Sequence, residues 1–457
     1  DYIFLFLFFP AFTKKSFFNK RLLEEEQQII IIKVSNPGEQ EVINFQYVDQ
    51  VIVFINGTSV ILDSNNKTNV PEGMPEIILK FTSVITNMER MFSGLSNIIE
   101  IDFTYFNCSI INGVKGLFED CRGLQKITFN NSFGPITSMY RTFCNCTNLT
   151  SIDLSVFDTS QVSQMHQLFI NCHSLKSLNL SNFVTSEVYS MEYMFYYCSS
   201  LTSLVFSSSF NTEKVENMKF MFTKCKSLKS LDLSFFDTHL VTNMNQMFKE
   251  CTDLEYLNIS NFNTSITTTF DNMFVLCSSL KELDLSSFDT KMVTNMNEMF
   301  NGCSSLTSLD ISSFNTELVT QMKKMFKELS SVTSLDFSGF ITNKVTDMDS
   351  FLEGCKSLVS IDVSHFDTRS CTNMDHMFSN CELLTSIDIS NFNTSQVSSM
   401  KNMFSGCQSL TNLNFRNFNT EKVVTFEKMF YNCGALSSLN LSTFNTKQVA
   451  NMISMFE

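Results

Sequence analysis

The chain has 457 residues, a formal net charge of −14, 13 glycines, 5 histidines and no tryptophan. Binding to nucleic acid needs a basic face, and a membrane-spanning helix needs about 20 consecutive apolar residues. The sequence offers neither, which disfavours a nucleic-acid-binding protein and a multispan membrane protein. Apolar residues make up 43% of the chain, which is enough to build a core and argues against disorder.

Residues 1–23 are predicted to be a signal-peptide-like hydrophobic segment with a basic flank. Residues 2–12 are almost entirely apolar, a stretch with the length of a signal-peptide core that is too short to span a bilayer. Lys14, Lys15 and Lys20 follow this stretch. The alternative is a buried strand or helix of the first domain, which would leave the chain inside the cell.

Residues 24–80 do not share the pattern of the remaining chain and are predicted to form a β-rich N-terminal cap. Apolar and β-branched runs predict strands at residues 28–34, 42–45, 48–55 and 59–62. Turn-forming residues such as Asn36-Pro37-Gly38 and Asn56-Gly57 separate these runs.

From about residue 81 the chain follows a 26-residue period, which indicates a repeat protein. The pair Met-Phe recurs at this spacing, as at Met273 and Met299, and in most copies Cys follows the Phe by three residues. We count about 15 coils in residues 81–457, the last of which stops part-way through a unit. We therefore expect the C-terminus to be truncated.

The unit that begins at Val293 shows how each repeat is expected to fold. Apolar residues in its first half fall at Val293, Met296, Met299, Phe300 and Cys303. Steps of three and one residues place these side chains on one face of a helix, so the sequence predicts one helix per coil. In the second half, Leu309 and Ile311 alternate with polar residues, which predicts a short half-buried strand. Stacked copies would join these strands into a parallel sheet and the helices into an outer layer.

The repeat resembles two known patterns. The spacing Leu306-x-x-Leu309-x-Ile311 resembles a leucine-rich repeat, although Phe314 stands where such repeats usually have Asn. The longer pattern Ser-Leu-x-Ser-Leu-Asp-Leu-Ser-x-Phe-Asp/Asn-Thr, followed by Val-Thr-Asn-Met-x-x-Met-Phe-x-x-Cys, resembles BspA-like leucine-rich-repeat surface proteins, whose repeat is also called the mycoplasma-lipoprotein or PARCEL type. The expected fold class is therefore α/β: a leucine-rich-repeat-like solenoid with one short parallel strand and one helix per 26-residue coil, preceded by a β-rich cap.

This resemblance also implies a function. BspA-like proteins are secreted or surface-exposed, and several are implicated in adhesion to host proteins such as fibronectin and fibrinogen. The expected function is thus a non-enzymatic, extracellular or cell-surface repeat protein that mediates protein–protein interaction in adhesion. Its expected partner is an extracellular-matrix or cell-surface protein and not nucleic acid. Association with a membrane is expected only through a signal sequence or an anchor. The alternatives are a structural surface-layer or spacer protein and an intracellular scaffold without a dedicated ligand.

The Cys that recurs in most repeats has a simple structural explanation. Each Cys lies about one turn after a Met-Phe pair, so we predict that these thiols are buried and fill the core, as free cysteines commonly do. Leu95 and Leu329 replace Cys in two copies, which suits packing. No phosphate-binding loop, nucleophile elbow or zinc-protease motif occurs in the sequence. We therefore predict no catalytic residue, no metal site and no cofactor.

An Asp recurs at the same place in many of the predicted strands, and these residues form a candidate binding stripe on the sheet face. Its members are Asp153, Asp232, Asp284, Asp310, Asp336, Asp362 and Asp388. Carboxylates stacked about 4.8 Å apart repel one another, so the stripe is expected to bind a cation or a basic partner. Calcium requires six to eight oxygens in a compact cage, which a flat column supplies poorly. The alternative is a solvated face that repeats because the unit was duplicated.

One irregular coil contains an unusual group of aromatic residues. The candidate aromatic patch comprises Tyr189, Tyr193, Tyr196 and Tyr197. The Asp stripe itself lacks the aromatic and Arg anchors that are typical of binding hot spots, so we expect this coil to contribute to partner binding.

Overall fold

The computed structural model describes residues 28–73 and 76–457, and the predicted signal segment lies outside these residues. The chain divides into two compact units. Unit 1 comprises the chain up to Val188 together with Tyr197–Phe210, and unit 2 comprises Tyr189–Tyr196 and Asn211–Glu457.

Unit 1 opens with six strands: β1 (Ile29–Val34), β2 (Gly38–Glu41), β3 (Val51–Ile55), β4 (Thr58–Val60), β5 (Lys67–Val70) and β6 (Glu76–Phe81). Strands β2 and β5 pair with each other. The other four join β7 (Ile98–Asp102) and β8 (Lys126–Thr128) in a six-stranded sheet of order β4-β3-β6-β1-β7-β8. The antiparallel sheet of the N-terminal region thus continues into the first repeats, because β1 pairs with β7 and β7 pairs in parallel with β8.

The strand predictions for the N-terminal region are only partly confirmed. The strand predicted at residues 28–34 is present, but the one predicted at 42–45 is wrong, because a 3-10 helix begins at Phe45 and runs to Gln50. The side chain of Asn44 accepts a hydrogen bond from the backbone N–H of Gln46 (3.4 Å) and so caps this helix. The helix also delays the next strand, which begins at Val51 and not at residue 48.

Later coils contribute very short parallel strands. In unit 1, β9 (Ser177–Asn179) pairs with β10 (Ser203–Val205). In unit 2, β11 (Ser230–Asp232) pairs with β12 (Tyr256–Asn258), and β13 (Ser360–Ile361) pairs with β14 (Ser386–Ile387). All of these pairs are parallel and shifted by one repeat, as expected of a repeat solenoid. A regular strand does not form in every coil, so the prediction of one strand per coil is only partly confirmed: residues 309–311 alternate between buried and exposed side chains without forming a strand.

The prediction of one helix per coil is wrong. The described residues contain no α-helix, and their only helical elements are the 3-10 helices Phe45–Gln50 and Cys108–Ile110. Residues 293–303 and their equivalents, which we call the Met-Phe segments, form consecutive tight turns. The buried face was nevertheless predicted correctly, because Val293, Met296 and Cys303 are all 0% exposed.

Hydrogen bonds to the next coil explain why the Met-Phe segment is not a helix. Alternate backbone N–H groups leave the coil: Glu298 donates to the carbonyl of Lys323 (2.8 Å), and Phe300 donates to that of Met325 (3.0 Å). The N–H groups between them close turns within the coil, as from Met299 to the Met296 carbonyl (3.3 Å). Glu298 is the third residue of that turn and has φ +55°, as a type II turn requires.

This geometry predicts an unusual response to glycine. Glu328 is exposed and has φ +58°, a conformation that is unfavourable for residues with a Cβ atom. We expect Glu328→Gly to leave the free energy of unfolding unchanged or to raise it by up to about 1 kcal/mol, whereas glycine inside a helix would lower it by about 1 kcal/mol. Guanidinium titration followed by circular dichroism measures the difference.

Thr307 provides the control for this substitution. It is also exposed but does not have a positive φ, so Thr307→Gly should lower the free energy of unfolding by about 0.5–1 kcal/mol. Equal losses for both variants would contradict the turn geometry.

A column of buried threonines also connects successive coils, at a different point of the repeat from the Met-Phe segment. Thr316 is 0% exposed, and its hydroxyl donates to the carbonyl of Ile341 (2.9 Å) while accepting from the N–H of the same residue (2.7 Å). Thr290 binds Asn315 in the same way. The hydroxyl thus satisfies two backbone groups of the next coil.

Candidate functional site

The residues that point outward from the strand segments form a surface that we call the sheet face. Ser308 and Asp310 are exposed, whereas Leu309 and Ile311 are buried, which is the alternation expected of a strand. Parallel pairing in register places Asp232 beside Asn258, the equivalent residue of the next coil. Each exposed position therefore forms a column with a spacing of about 4.8 Å.

The predicted Asp stripe lies on the sheet face. All seven aspartates are exposed. Six of them belong to unit 2: Asp232, Asp284, Asp310, Asp336, Asp362 and Asp388. Asp153 belongs to unit 1. In unit 2, five of the six occupy consecutive coils from Asp284 to Asp388, whereas Asn258 lies between Asp232 and Asp284.

Each of these aspartates also has a local structural role. The Oδ1 of Asp310 accepts hydrogen bonds from the backbone N–H (3.0 Å) and the hydroxyl (2.7 Å) of Ser312. The other six aspartates accept the same backbone N–H from the residue two positions later. In a neighbouring coil Asn258 does the same for Ser260 (3.2 Å). The turn that ends the strand therefore needs a side-chain oxygen but not a negative charge.

The hydrogen bonds favour the ionised carboxylates. The side chain and the backbone N–H of Ser312 lower the pKa of Asp310. The pKa of Asp336 is lowered mainly by the backbone N–H of Ser338, although the charges of Asp310 and Asp362 act to raise it. The pKa values of Asp284, Asp362 and Asp388 are lowered by the same kind of bond from Ser286, Ser364 and Ser390. At neutral pH the column is thus a row of negative charges close enough to interact.

Part of this column lines a shallow, open depression. Its polar lining includes Ser360, Asp362, Ser386, Asp388 and Asn414. Because it is open and polar, the depression resembles a contact surface for an extended partner more than a pocket that encloses a small molecule.

The sheet face also has an aromatic residue that the sequence analysis missed. Tyr256 occupies the column of Ser308 and is 53% exposed. Charged residues lie next to it in the sequence and on the next coil. Two of them, Lys281 and Glu255, form an ion pair (2.7 Å). The prediction concerned only the Asp stripe, and the neighbouring column of the sheet face does contain an aromatic residue. Most coils have Ser at this position, so the Tyr at position 256 could have been recognised as an exception from the sequence.

The predicted tyrosine patch is distributed over both units. In unit 2, the rings of Tyr193 and Tyr196 lie 5.3 Å apart, and Phe220 stacks on Tyr193 at 4.5 Å. Tyr189 belongs to the same unit and is 43% exposed. Tyr197 belongs to unit 1, where its ring packs edge-on against another aromatic side chain. Phe220 was not part of the prediction.

The cysteine column fills the core, as predicted. Cys303 is 0% exposed, and its thiol donates to the carbonyl of Phe274 (3.1 Å) in the preceding coil. Burial raises the pKa of Cys303 to about 12, so at neutral pH the thiol is protonated and is a poor nucleophile. Cys277 and Cys251 make equivalent contacts. The thiols thus act as hydrogen-bonding core side chains.

Two other kinds of site are absent from residues 28–73 and 76–457. No three or more His, Cys, Asp or Glu side chains in these ranges are grouped so that they could hold a metal ion. Within the same ranges, no helix has the length and apolar character needed to cross a membrane.

Several solved structures are similar to part of this chain. A leucine-rich repeat protein from Eubacterium ventriosum is 14% identical with a TM-score of 0.35, and the match covers 75% of this chain and 84% of that one. A leucine-rich cell surface protein from Faecalibacterium prausnitzii is 14% identical with a TM-score of 0.26, covering 84% and 94%. TLR13 in its complex with ssRNA13 is 20% identical with a TM-score of 0.27, and the match covers 72% of this chain but only 48% of that one, about half of its length.

At these identities and TM-scores the likenesses carry no argument about what the chain binds. A search of curated proteins finds no match. Six overlapping stretches match one family, at residues 75–133, 130–231, 201–305, 223–335, 268–384 and 346–457. Because these stretches together cover most of the sequence, the chain belongs to the family described as Mycoplasma protein of unknown function, DUF285.

Proposed function

We propose that this chain is a non-enzymatic repeat protein of the BspA-like type that binds another protein through its sheet face and serves in adhesion at the cell surface. The observation that carries the proposal is the charge of the Asp column. Asn258 makes the same turn as Asp310 without a charge, so the fold does not require a carboxylate there. Five consecutive coils nevertheless have an aspartate at this position. A basic partner would relieve the repulsion between these charges.

The shape of the surface supports a macromolecular partner. The columns repeat at about 4.8 Å along an open face, so an extended partner can meet several equivalent side chains in succession. Tyr256 adds an exposed aromatic ring of the kind that often anchors such contacts. The cell-surface location rests on the resemblance of the repeat to BspA-like surface proteins. A membrane-impermeant protease applied to intact cells that express the tagged protein tests that location.

Neutralising the column tests the binding proposal. We expect the triple variant Asp310→Asn, Asp336→Asn, Asp362→Asn to fold normally, because Asn preserves the turn. Immobilised fibronectin and fibrinogen serve as probes, since the family resemblance points to them. Surface plasmon resonance should show saturable binding of the unaltered chain to one of them, weakened about tenfold or more in the variant and at high salt.

A matched control uses aspartates on another part of the coil. Asp237, Asp289 and Asp367 also accept a backbone N–H from the residue two positions later, but they stand five residues after the stripe position, beyond the turn that follows it. Replacing these three by Asn removes the same number of charges and should leave binding within about twofold, since charges distant from an interface contribute little. Equal losses in both variants, or no saturable binding at all, would reject the sheet face as the binding surface and favour a spacer role.

A further inference from the structure

Three aromatic rings form a cluster on the Met-Phe segments of unit 2, away from the sheet face. Tyr193 and Phe220 stack with their ring centroids 4.5 Å apart and their planes 10° apart. Tyr196 packs edge-on against both rings, at 5.3 Å and 6.2 Å. All three side chains are half-buried, so part of the stack faces solvent. We call these three residues the aromatic cluster.

The fold does not need aromatic residues at these positions. Tyr193 and Phe220 have φ values of +57° and +59°, in the left-handed region that bulky side chains rarely adopt. In later coils the equivalent residues include Glu298, Lys324 and Asn402, which have φ values of +55° to +56°. Polar side chains therefore build the same turn elsewhere in the chain. Half-buried rings in an unfavourable backbone conformation suggest a role in binding.

One lysine lies against the aromatic cluster, and three more belong to the same coil or the next one. The ammonium group of Lys219 lies 5.0 Å from the centroid of the Phe220 ring, and Lys224 and Lys226 follow on the same coil. The carboxylates nearby are Glu192, 3.7 Å from the Lys219 Nζ, and Glu250, which lies 3.9 Å from both Lys224 and Lys226. Lys249 on the next coil donates to the side chain of Asn272 (3.2 Å). Asp271 interacts with Lys249 as well, so four lysines lie among three carboxylates in a chain whose net charge is −14.

We propose that the aromatic cluster and its lysines form a docking site for an acidic protein segment that inserts an apolar or aromatic side chain against the rings. The excess of lysine complements negative charge, and the rings supply the apolar contact that commonly dominates binding energy. This site would be separate from the Asp column, whose charge favours a basic partner. The inference rests on the proposed function only in so far as both make the chain a protein-binding protein.

The test uses the full chain and a library of displayed 12-residue peptides. Peptides selected on the unaltered chain are counter-screened against Tyr193→Asn/Phe220→Asn. The variant should fold, because Asn272 and Asn402 occupy the same position in other coils. We expect the peptides lost on the variant to be net negative and to contain an aromatic or large aliphatic residue. By fluorescence anisotropy, their affinity should fall at least tenfold on the variant and further between 50 and 300 mM NaCl.

A second aromatic residue provides the matched control. Tyr431 is equivalent to Tyr196, is 38% exposed, and has the Lys428 ammonium group 5.3 Å from its ring centroid. Tyr431→Asn should leave these affinities within about twofold. Selected peptides that are neutral or basic would overturn the acidic partner, and peptides that bind the double variant equally well would overturn the site. Peptides that bind the double variant but are lost on the Asp310/Asp336/Asp362 variant would reject this inference while leaving the proposed function intact.

Discussion

Thr316→Val is expected to lower the free energy of unfolding by about 2–4 kcal/mol although the two side chains have almost the same shape. The Thr316 hydroxyl is the hydrogen-bond partner of both the N–H (2.7 Å) and the carbonyl (2.9 Å) of Ile341. Valine would leave these two part-buried backbone groups without that partner, and each lost hydrogen bond costs about 1 kcal/mol, more where water cannot replace it. Guanidinium titration of the unaltered chain and the variant measures the loss.

Thr316→Ser separates the hydroxyl from the methyl group. Serine keeps the hydroxyl and loses one buried methyl, so it should cost about 1 kcal/mol. A valine variant as stable as the unaltered chain, or a serine variant that loses more stability than the valine variant, would mean that the threonine column stabilises the coils by packing alone.

The buried face of the second half of each coil was predictable because its chemistry is local. Leu309 and Ile311 alternate with polar residues, and the structure buries these two side chains and exposes the residues between and before them, although this coil forms no regular strand there. The buried residues of the Met-Phe segment were predictable for a related reason, since burial follows from which positions are apolar. Neither pattern depends on knowing where the backbone hydrogen bonds go.

The helix was mispredicted because periodicity records side-chain burial and not backbone direction. Tight turns of about four residues return apolar side chains to the core at nearly the helical spacing, while half of the N–H groups bond to the next coil. A compositional signal was present in the sequence. Gly302, Gly354 and Gly406 occupy one column inside the supposed helix, and Asn380 replaces them in another coil. Glycine and asparagine are the residues that best tolerate a positive φ, and these four have φ values between +58° and +77°.

The candidate site was predictable as a column but not as a set of contacts. The sequence shows that Asp310 and its equivalents share one register, and a strand with one buried face must expose them. It does not show that the carboxylates accept the N–H groups of Ser312 and its equivalents, because that depends on the turn that follows the strand. The stacking of Phe220 on Tyr193 was missed for a similar reason. The two residues are neighbours only because the coils stack in register, with one extra residue between them.

Phe300→Ala is expected to have the largest effect of any single substitution considered, a loss of about 3–5 kcal/mol in the free energy of unfolding. Phe300 is 0% exposed and lies in a stack of rings, 5.8 Å from both Phe274 and Phe326, with interplanar angles of 5° and 16°. Alanine would remove the middle ring and leave a cavity between two coils whose backbones are hydrogen-bonded in register. Denaturant titration measures the loss.

The chain itself provides the control for this position. Leu352 occupies the equivalent place in a later coil and is also 0% exposed, so the backbone accepts leucine there. Phe300→Leu should therefore cost no more than about 1.5 kcal/mol. Because Phe274 and Phe300 share one contact, the double variant Phe274→Ala/Phe300→Ala should lose less than the sum of the two single losses. Strict additivity, or leucine as costly as alanine, would show that the rings stabilise each coil separately and do not couple neighbouring coils.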